Sequence, residues 1–322
     1  MHNQNPKDNN LNKKDQRHQN SSDAGTKQGQ IVPKLNEDVS IMKKPITYSS
    51  DGIIYSQTNN TSIATSMGSR SHQEDFYLSE IISLKNVKNG KGQLMGVFDG
   101  HGGKEVAEEV SKTIHSLFET ALTMHNGDVN IALKETIFNL ALITNNEKSG
   151  TTLSVVYVPS SNDMAHVAVV GDSPVIILDN DNNIVPSPSH NVRSNPVERE
   201  KAKKKGATYV NGYIMTLRGG GLQIARSLGD NEIASILSRE PDIYSVPLGG
   251  KSFIIIGTDG LFDPPDFDTF AQFDDPSNFD TKQQVDRLAN LVKNGAEAKE
   301  LVQDALDRMT RDNVTAIVWR PH

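Results

Sequence analysis

The sequence predicts an α+β fold with largely antiparallel sheets, on three observations. Strand-like and helix-like segments each fall in runs, where a doubly wound parallel sheet would need more regular alternation. One pair of short apolar runs is joined by DNDNN, a hairpin signal. The longest apolar runs, such as FIIIG from Phe253, are far shorter than the roughly 18 residues that span a bilayer.

Taken in order, the chain opens on a polar stretch. Residues 1–30 hold one aliphatic side chain larger than Ala or Met, Leu11, too little apolar area to offset the entropy of ordering. Residues 1–51 are therefore expected to be a disordered tail or linker, and residues 52–322 one large domain. The start, MHNQNPKDNN, has no apolar core, so no signal peptide is expected and the protein is read as soluble and cytoplasmic.

Short β-branched runs read as strands at Gln93–Phe98, Thr152–Val158, Ala165–Val170, Val175–Leu178, Ser252–Gly257 and Val314–Trp319, with Ile184–Pro186 closing the hairpin. Between them, Glu105–Met124 places Val106, Val110, Ile114, Leu117 and Ala121 on one helical stripe, and Ile131–Ile143 is similar. Asn195-Pro196 followed by VEREKAKKKG reads as cap, first-turn proline, helix and glycine stop. Lys282–Val292 and Ala296–Met309 make two more helices, with Gly295 between them.

Composition removes several chemistries. With no cysteine there is no thiolate nucleophile, disulfide framework or Cys-held metal, so any ion must be held mainly by oxygen. A net charge of -7, from 33 basic and 40 acidic side chains, lacks the basic footprint of a nucleic-acid binder.

The chemistry sits where strands end. Gln93–Phe98 runs into Asp99-Gly100-His101-Gly102-Gly103, Ser252–Gly257 runs into Thr258-Asp259-Gly260, and Asp312 stands at the beginning of Val314–Trp319. If the last strand is antiparallel to the other two, its start shares a sheet edge with their ends and three carboxylates converge. Such a cluster is unfavourable unless cations neutralise it, which points to Mg²⁺ or Mn²⁺ ahead of Ca²⁺. His101, among glycines, is free to approach an ion or anion closely.

These residues, with others in order along the chain, resemble the metal-dependent serine/threonine protein phosphatases of type 2C. The similar motifs are Arg70 with Glu74-Asp75, Val97–Gly103 (VFDGHGG), Ser149–Thr152 (SGTT), Gly171-Asp172-Ser173, Leu222–Asp230 (LQIARSLGD), Glu240–Val246 (EPDIYSV), Thr258–Asp263 (TDGLFD) and Arg311–Thr315 (RDNVT). The resemblance implies a four-layer αββα sandwich, two antiparallel sheets flanked by helix pairs, with two Mg²⁺ or Mn²⁺ ions at one end. It implies that Asp99 bridges the ions, the Gly100 carbonyl ligates one, and Asp259 and Asp312 hold the other. Glu74 and Asp75 would act through metal-bound waters, Arg70 would bind phosphate, and His101 would serve as general acid. The implied reaction is hydrolysis of phosphoserine or phosphothreonine in a protein substrate by a metal-activated water, without a phosphoenzyme; the chain is expected to be a monomer, and its acidic charge and short apolar runs point to neither a nucleic-acid nor a membrane partner.

The chain departs from the family at Val169-Val170, where Asn is common before Gly171, at Pro174, where Arg is frequent, and at Ser189-His190, where the family often has Asp-His. The Asp of that pair is associated with a third metal ion, which here retains only Asp263 as its candidate ligand. YIMTLRGGG, after Gly212, lies in or near the family's variable flap, and Pro264–Asp280 reads as an exposed acidic loop. Two other readings stand beside the enzyme. One is a catalytically inactive member of the fold acting as a regulatory binding module. The other is a Ca²⁺-binding or structural protein, for which DNDNN lacks the Gly and terminal Glu of a calcium loop.

Overall fold

The computed structural model describes residues 47–48, 52–58, 60–216, 220–262 and 281–321. Most of the polar tail, Asp263 and the acidic segment Pro264–Asp280 lie outside the described residues. Among the described residues no helix is long and apolar enough to cross a membrane.

Two large sheets, antiparallel throughout, carry the fold. The first has the order β1 (Thr47–Tyr48), β2 (Ile54–Gln57), β3 (Thr61–Ser66), β17 (Val314–Trp319), β16 (Phe253–Gly257), β9 (Val175–Leu178) and β10 (Ile184–Pro186). In the second, β5 (Lys91–His101) lies between β4 (Asp75–Ser83) and β7 (Leu153–Pro159), and β8 (Met164–Val170) and β15 (Asp242–Pro247) follow. The far end of β5 pairs antiparallel with β6 (Gly150–Thr151), which pairs in turn with β14 (Leu228–Gly229). A small third sheet, β11 (Thr208–Val210), β12 (Tyr213–Met215) and β13 (Gly221–Leu222), packs with α3 (Pro196–Lys204) around Ile214 and Ala202.

Alternation along the strands builds three separate cores, and these define four layers. On β5, Leu94 and Phe98 face α1 (Glu105–Met124) and α2 (Val129–Ile143), while Met95 and Val97 face the other sheet. On β16, Phe253 and Ile255 face α4 (Thr281–Lys293) and α5 (Ala298–Asp307), while Ile254 and Ile256 face inward between the sheets. A strand whose side chains alternate between two apolar surroundings must be buried on both faces, which is why these runs are almost continuously apolar. The expected αββα sandwich is what the structure has.

The helices begin and end for local reasons. The Asp128 and Asn195 side chains accept N–H bonds from the first turns of α2 and α3, and Glu297 and Glu300 form a capping box on α5. Helix α1 has the expected bounds, but its buried stripe runs through Phe118, with Leu117 at its margin. The DNDNN hairpin is closed by its own first residue: the Asp179 carboxylate accepts the N–H groups of Asp181 and Asn183.

The placement of the carboxylate-bearing strands differs from the expectation of one shared sheet edge. Strands β16 and β17 are antiparallel neighbours, as expected, but β5 belongs to the opposite sheet. The three strand ends meet across the sandwich, because the two sheets stack face to face and bring the end of β5 over those of β16 and β17.

Trp319, the one tryptophan in the sequence, is fully buried in the inter-sheet core. Trp319→Ala is expected to cost about 3–5 kcal/mol in denaturant unfolding followed by circular dichroism. A loss within about 0.5 kcal/mol, the scale of a surface site, would contradict that placement.

Candidate active site

Strand parity delivers the site. Asp99 shares its face of β5 with Met95 and Val97, and Asp75 shares its face of β4 with Tyr77, so both carboxylates point to the inter-sheet side. They are also direct cross-strand partners in the β4–β5 ladder. Like charges opposite each other in a ladder repel, so sheet geometry alone sets up a conflict here. From the other sheet, Thr315 shares the inward face of β17 with Ile317 and Trp319, and Thr258 follows Ile256 out of β16. Both hydroxyls donate to Asp75 Oδ2, at 2.8 Å from Thr315 and 3.0 Å from Thr258.

Burial and crowding shape the charges. Burial holds the Asp99 carboxyl well above the ordinary carboxylate range, and the charges of Asp259, Asp75, Asp312 and Asp172 push it further. Asp75 is pushed up to about 7, chiefly by burial, against the pull of its two threonine hydroxyls. The structure thus brings Asp75, Asp99, Asp259 and Asp312 together, and adds Asp172 from the turn after β8. Asp172 is itself raised by burial and steadied by the Asn191 amide at 2.8 Å.

The remaining expected residues surround this group. Arg70 is half-exposed; its guanidinium donates to Asp312 Oδ2 at 2.7 Å and to the Arg311 carbonyl at 2.9 Å. Glu74 turns toward the glycine loop, where its carboxylate accepts the Gly103 N–H at 3.0 Å. Gly100 is packed so closely that a Cβ there would lie 2.5 Å from the Glu74 carbonyl oxygen, so only glycine fits. His101, at the end of β5, points Nε2 at Asp230. Asp263 lies outside the described residues.

Asn313 staples the Arg70 segment in place. Its amide donates to the carbonyls of Met67 and His72, each at 2.9 Å, and its oxygen accepts the Glu74 N–H at 2.9 Å. Asn313, Asp172, Asp230, Thr258 and Thr315 stand in the motifs without an expected role. Two of them had a readable signal: Gly171-Asp172 and Gly229-Asp230 mirror the Asp-Gly pairs of the site, with both glycines at positive φ. The threonines and Asn313 could be found only once strand pairing was known.

The donor set fits oxygen-seeking divalent cations. Several carboxylates share one end of the sandwich, where the Arg70 guanidinium pairs with Asp312 and its charge also favours the ionised form of Asp75. Among the described residues no three His, Asp or Glu side chains close into a ready-made cage. Mg²⁺ does not require one, since it binds through one or two carboxylates and keeps several waters.

The raised Asp75 has a consequence for stability. A carboxyl that holds its proton to about pH 7 when folded, but ionises near pH 4 when unfolded, destabilises the fold as pH rises through that interval. The metal-free protein should therefore lose stability between about pH 4 and 7. Asp75→Asn should recover about 1–4 kcal/mol at pH 8 in thermal or urea unfolding. A variant less stable than wild type at pH 8 would contradict this.

Comparison with known proteins agrees with the geometry. The family model for protein phosphatase 2C matches residues 61–314. A rice protein (Oryza sativa subsp. japonica) named probable protein phosphatase 2C 45 is 30% identical over 270 residues, covering 80% of this chain and 86% of its own. The Arabidopsis thaliana protein named probable protein phosphatase 2C 69 is 29% identical over 267 residues, covering 80% of this chain and 68% of its own. Among solved structures, a serine-threonine phosphatase 2C from Toxoplasma gondii superposes with a TM-score of 0.61 at 18% identity, over 83% of this chain and 98% of that one. The carboxylate-lined end of the sandwich and these matches lead to one assignment: the chain belongs to the protein phosphatase 2C family of serine/threonine phosphatases.

Proposed function

We propose that the chain hydrolyses phosphoserine and phosphothreonine in protein substrates with the help of two Mg²⁺ or Mn²⁺ ions, and that residues 52–322 form its catalytic domain. The observation that carries this reading is the crowding of Asp99 by Asp75, Asp172, Asp259 and Asp312 in a phosphatase of this family. Asp99, the Gly100 carbonyl, Asp259 and Asp312 would hold the ions, with Glu74 and Asp75 orienting bound waters. When bound, the two ions supply positive charge against the phosphate dianion and lower the pKa of the water that attacks phosphorus.

The protein's own groups do the rest. Arg70 presents a planar fork matched to two phosphate oxygens, and it never loses its proton. Its present partner, the Asp312 carboxylate, holds the guanidinium at the rim of the cluster, where a phosphate would arrive. Seryl and threonyl alkoxides are poor leaving groups, so protonation of the departing oxygen by His101 contributes about 10²–10⁴-fold. No covalent phosphoenzyme is needed, and a cysteine-based one is impossible in a chain without cysteine. A catalytically silent binding module would be expected to have lost a ligand, yet Asp99, Asp259 and Asp312 are all retained.

Substrate choice falls to the unit of α3 and β11–β13. It is tied to the site through Asn191, which bonds Asp172 by its side chain and bridges to Ile224 beside β13. It is tied to the body through the buried pair Glu198–Arg226 at 2.8 Å.

With a phosphothreonine peptide, Mn²⁺ or Mg²⁺ should support phosphate release and EDTA should abolish it. Asp99→Asn and Asp259→Asn should each lower kcat by about a thousandfold or more while circular dichroism stays native. Full activity in chelator, or in Asp259→Asn, would overturn the metal reading. Arg70→Ala should lower kcat/KM about 10–100-fold, mostly through KM, the worth of a charge-assisted pair. An unchanged KM would remove Arg70 from phosphate binding.

A further inference from the structure

We propose that Asp230 is a positioning residue for the reaction: it holds the His101 imidazole in one tautomer and one orientation, with Nε2 committed to Asp230 and Nδ1 left for the departing oxygen. The inference rests on the reading of His101 as the acid.

The pair is a built one. His101 Nε2 lies 2.8 and 3.0 Å from the two carboxylate oxygens of Asp230, across 129 residues of sequence. The Asp230 side chain is 7% exposed and that of His101 is 25% exposed, so the contact is shielded while the ring still reaches solvent. Among the described residues, Nδ1 has no hydrogen-bond partner.

The hydrogen-bond polarity around Asp230 runs one way. Arg239 donates to the Ser227 carbonyl at 2.5 Å and to Ser227 Oγ at 3.3 Å. The Ser227 hydroxyl, which accepts from Arg239, donates its hydrogen to Asp230 Oδ2 at 2.5 Å. Asp230 is therefore an acceptor on every side, and the ring nitrogen facing it must carry the hydrogen. A carboxylate that holds an imidazole by one N–H selects the tautomer and the ring orientation.

The backbone is shaped to permit this contact. Asp230 sits at φ 53°, in the left-handed region that few residues other than glycine adopt. Its N–H is anchored on the Ser149 carbonyl at 3.0 Å, and Gly229 is paired with Gly150, which is paired in turn with His101. A Cβ on Gly150 would lie 2.1 Å from Asp230 Oδ2 and 2.3 Å from His101 Nε2, so the pair closes over bare backbone. A left-handed non-glycine residue, a glycine with no room and a hydroxyl aimed at the carboxylate all converge on one ring nitrogen. Strain and close packing of this kind cluster at functional positions.

In the step itself, the bond from phosphorus to the leaving oxygen breaks and its electron pair goes to the seryl or threonyl oxygen. That oxygen takes the Nδ1 proton of the imidazolium, the oxygen of the attacking water forms the new bond to phosphorus and its hydrogens leave with the inorganic phosphate, and the ring ends neutral with its proton on Nε2, still hydrogen-bonded to Asp230. A ring free to rotate or change tautomer would present the wrong nitrogen for part of the time.

The test compares wild type, Asp230→Asn, His101→Gln and the double variant on a phosphothreonine peptide and on p-nitrophenyl phosphate, whose leaving group departs without a proton. Asp230→Asn should lower the ratio of peptide to p-nitrophenyl phosphate kcat about 10–100-fold, and should add nothing in the His101→Gln background. In metal-free protein, long-range ¹H–¹⁵N spectra should show the Nε2–H form of His101 in wild type and its loss in Asp230→Asn. If Asp230→Asn fails to fold, Ser227→Ala must shift the same ratio in the same direction. Equal losses on both substrates, additive losses in the double variant, or an unchanged tautomer would overturn the role of Asp230. A ratio unmoved by His101→Gln would instead remove the acid assignment, and the proposal with it.

Discussion

Electrostatic repulsion among carboxylates at one end of the sandwich is the constraint on which the rest of this structure turns. Sheet pairing sets Asp75 directly opposite Asp99, and the second sheet delivers Asp259 and Asp312 to the same end. No sequence selected for stability alone would place them so, since like charges in a half-buried site oppose folding. The surrounding groups make sense as responses to that conflict. Two threonine hydroxyls donate to Asp75, Arg70 covers Asp312, and Asn191 steadies Asp172. They reduce the repulsion without removing it, since Asp99 and Asp172 remain raised above the ordinary carboxylate range.

Such a site needs a rigid frame, and the three cores supply it. The inter-sheet core runs from Trp319 and Ile254 through Met95 and Val97 toward the carboxylates. Parity then leaves no choice about where Asp75, Asp99 and Thr315 point, because a one-residue slip would turn Val97 and Tyr77 out of the core. The direction of these side chains is therefore fixed by the same alternation that makes the sheets apolar. Asn313 extends this rigidity to a loop, since its three hydrogen bonds carry the Arg70 segment on the start of β17.

Much of this was legible in the amino-acid order, and the limits are physical. Val175–Leu178, Val314–Trp319 and Glu105–Met124 have the bounds that their periodicity predicts, because each presents unbroken apolar or amphipathic patterning. Thr61–Ser66 and Asp75–Ser83 lack a readable strand pattern: four of the six residues of TSIATS carry hydroxyls although all are buried, and DFYLSEIIS carries Asp75, Ser79, Glu80 and Ser83 among its apolar residues. Convergence of Asp99, Asp259 and Asp312 was foreseen from strand ends, but on one sheet edge, whereas stacking of two sheets accomplishes it. Partners distant in sequence stayed invisible, above all Asp230, which only the pairing of Gly229 with Gly150 and of Gly150 with His101 brings to the imidazole.

The central claim is that this carboxylate group is a site for two divalent cations, and its most direct measurement is calorimetric titration of the metal-free protein with Mn²⁺. The account predicts two ions bound per wild-type chain and loss of both from the site in Asp99→Asn, with the fold intact. Wild-type protein that binds no Mn²⁺, or an Asp99→Asn variant that binds it with unchanged stoichiometry and affinity, would contradict the account.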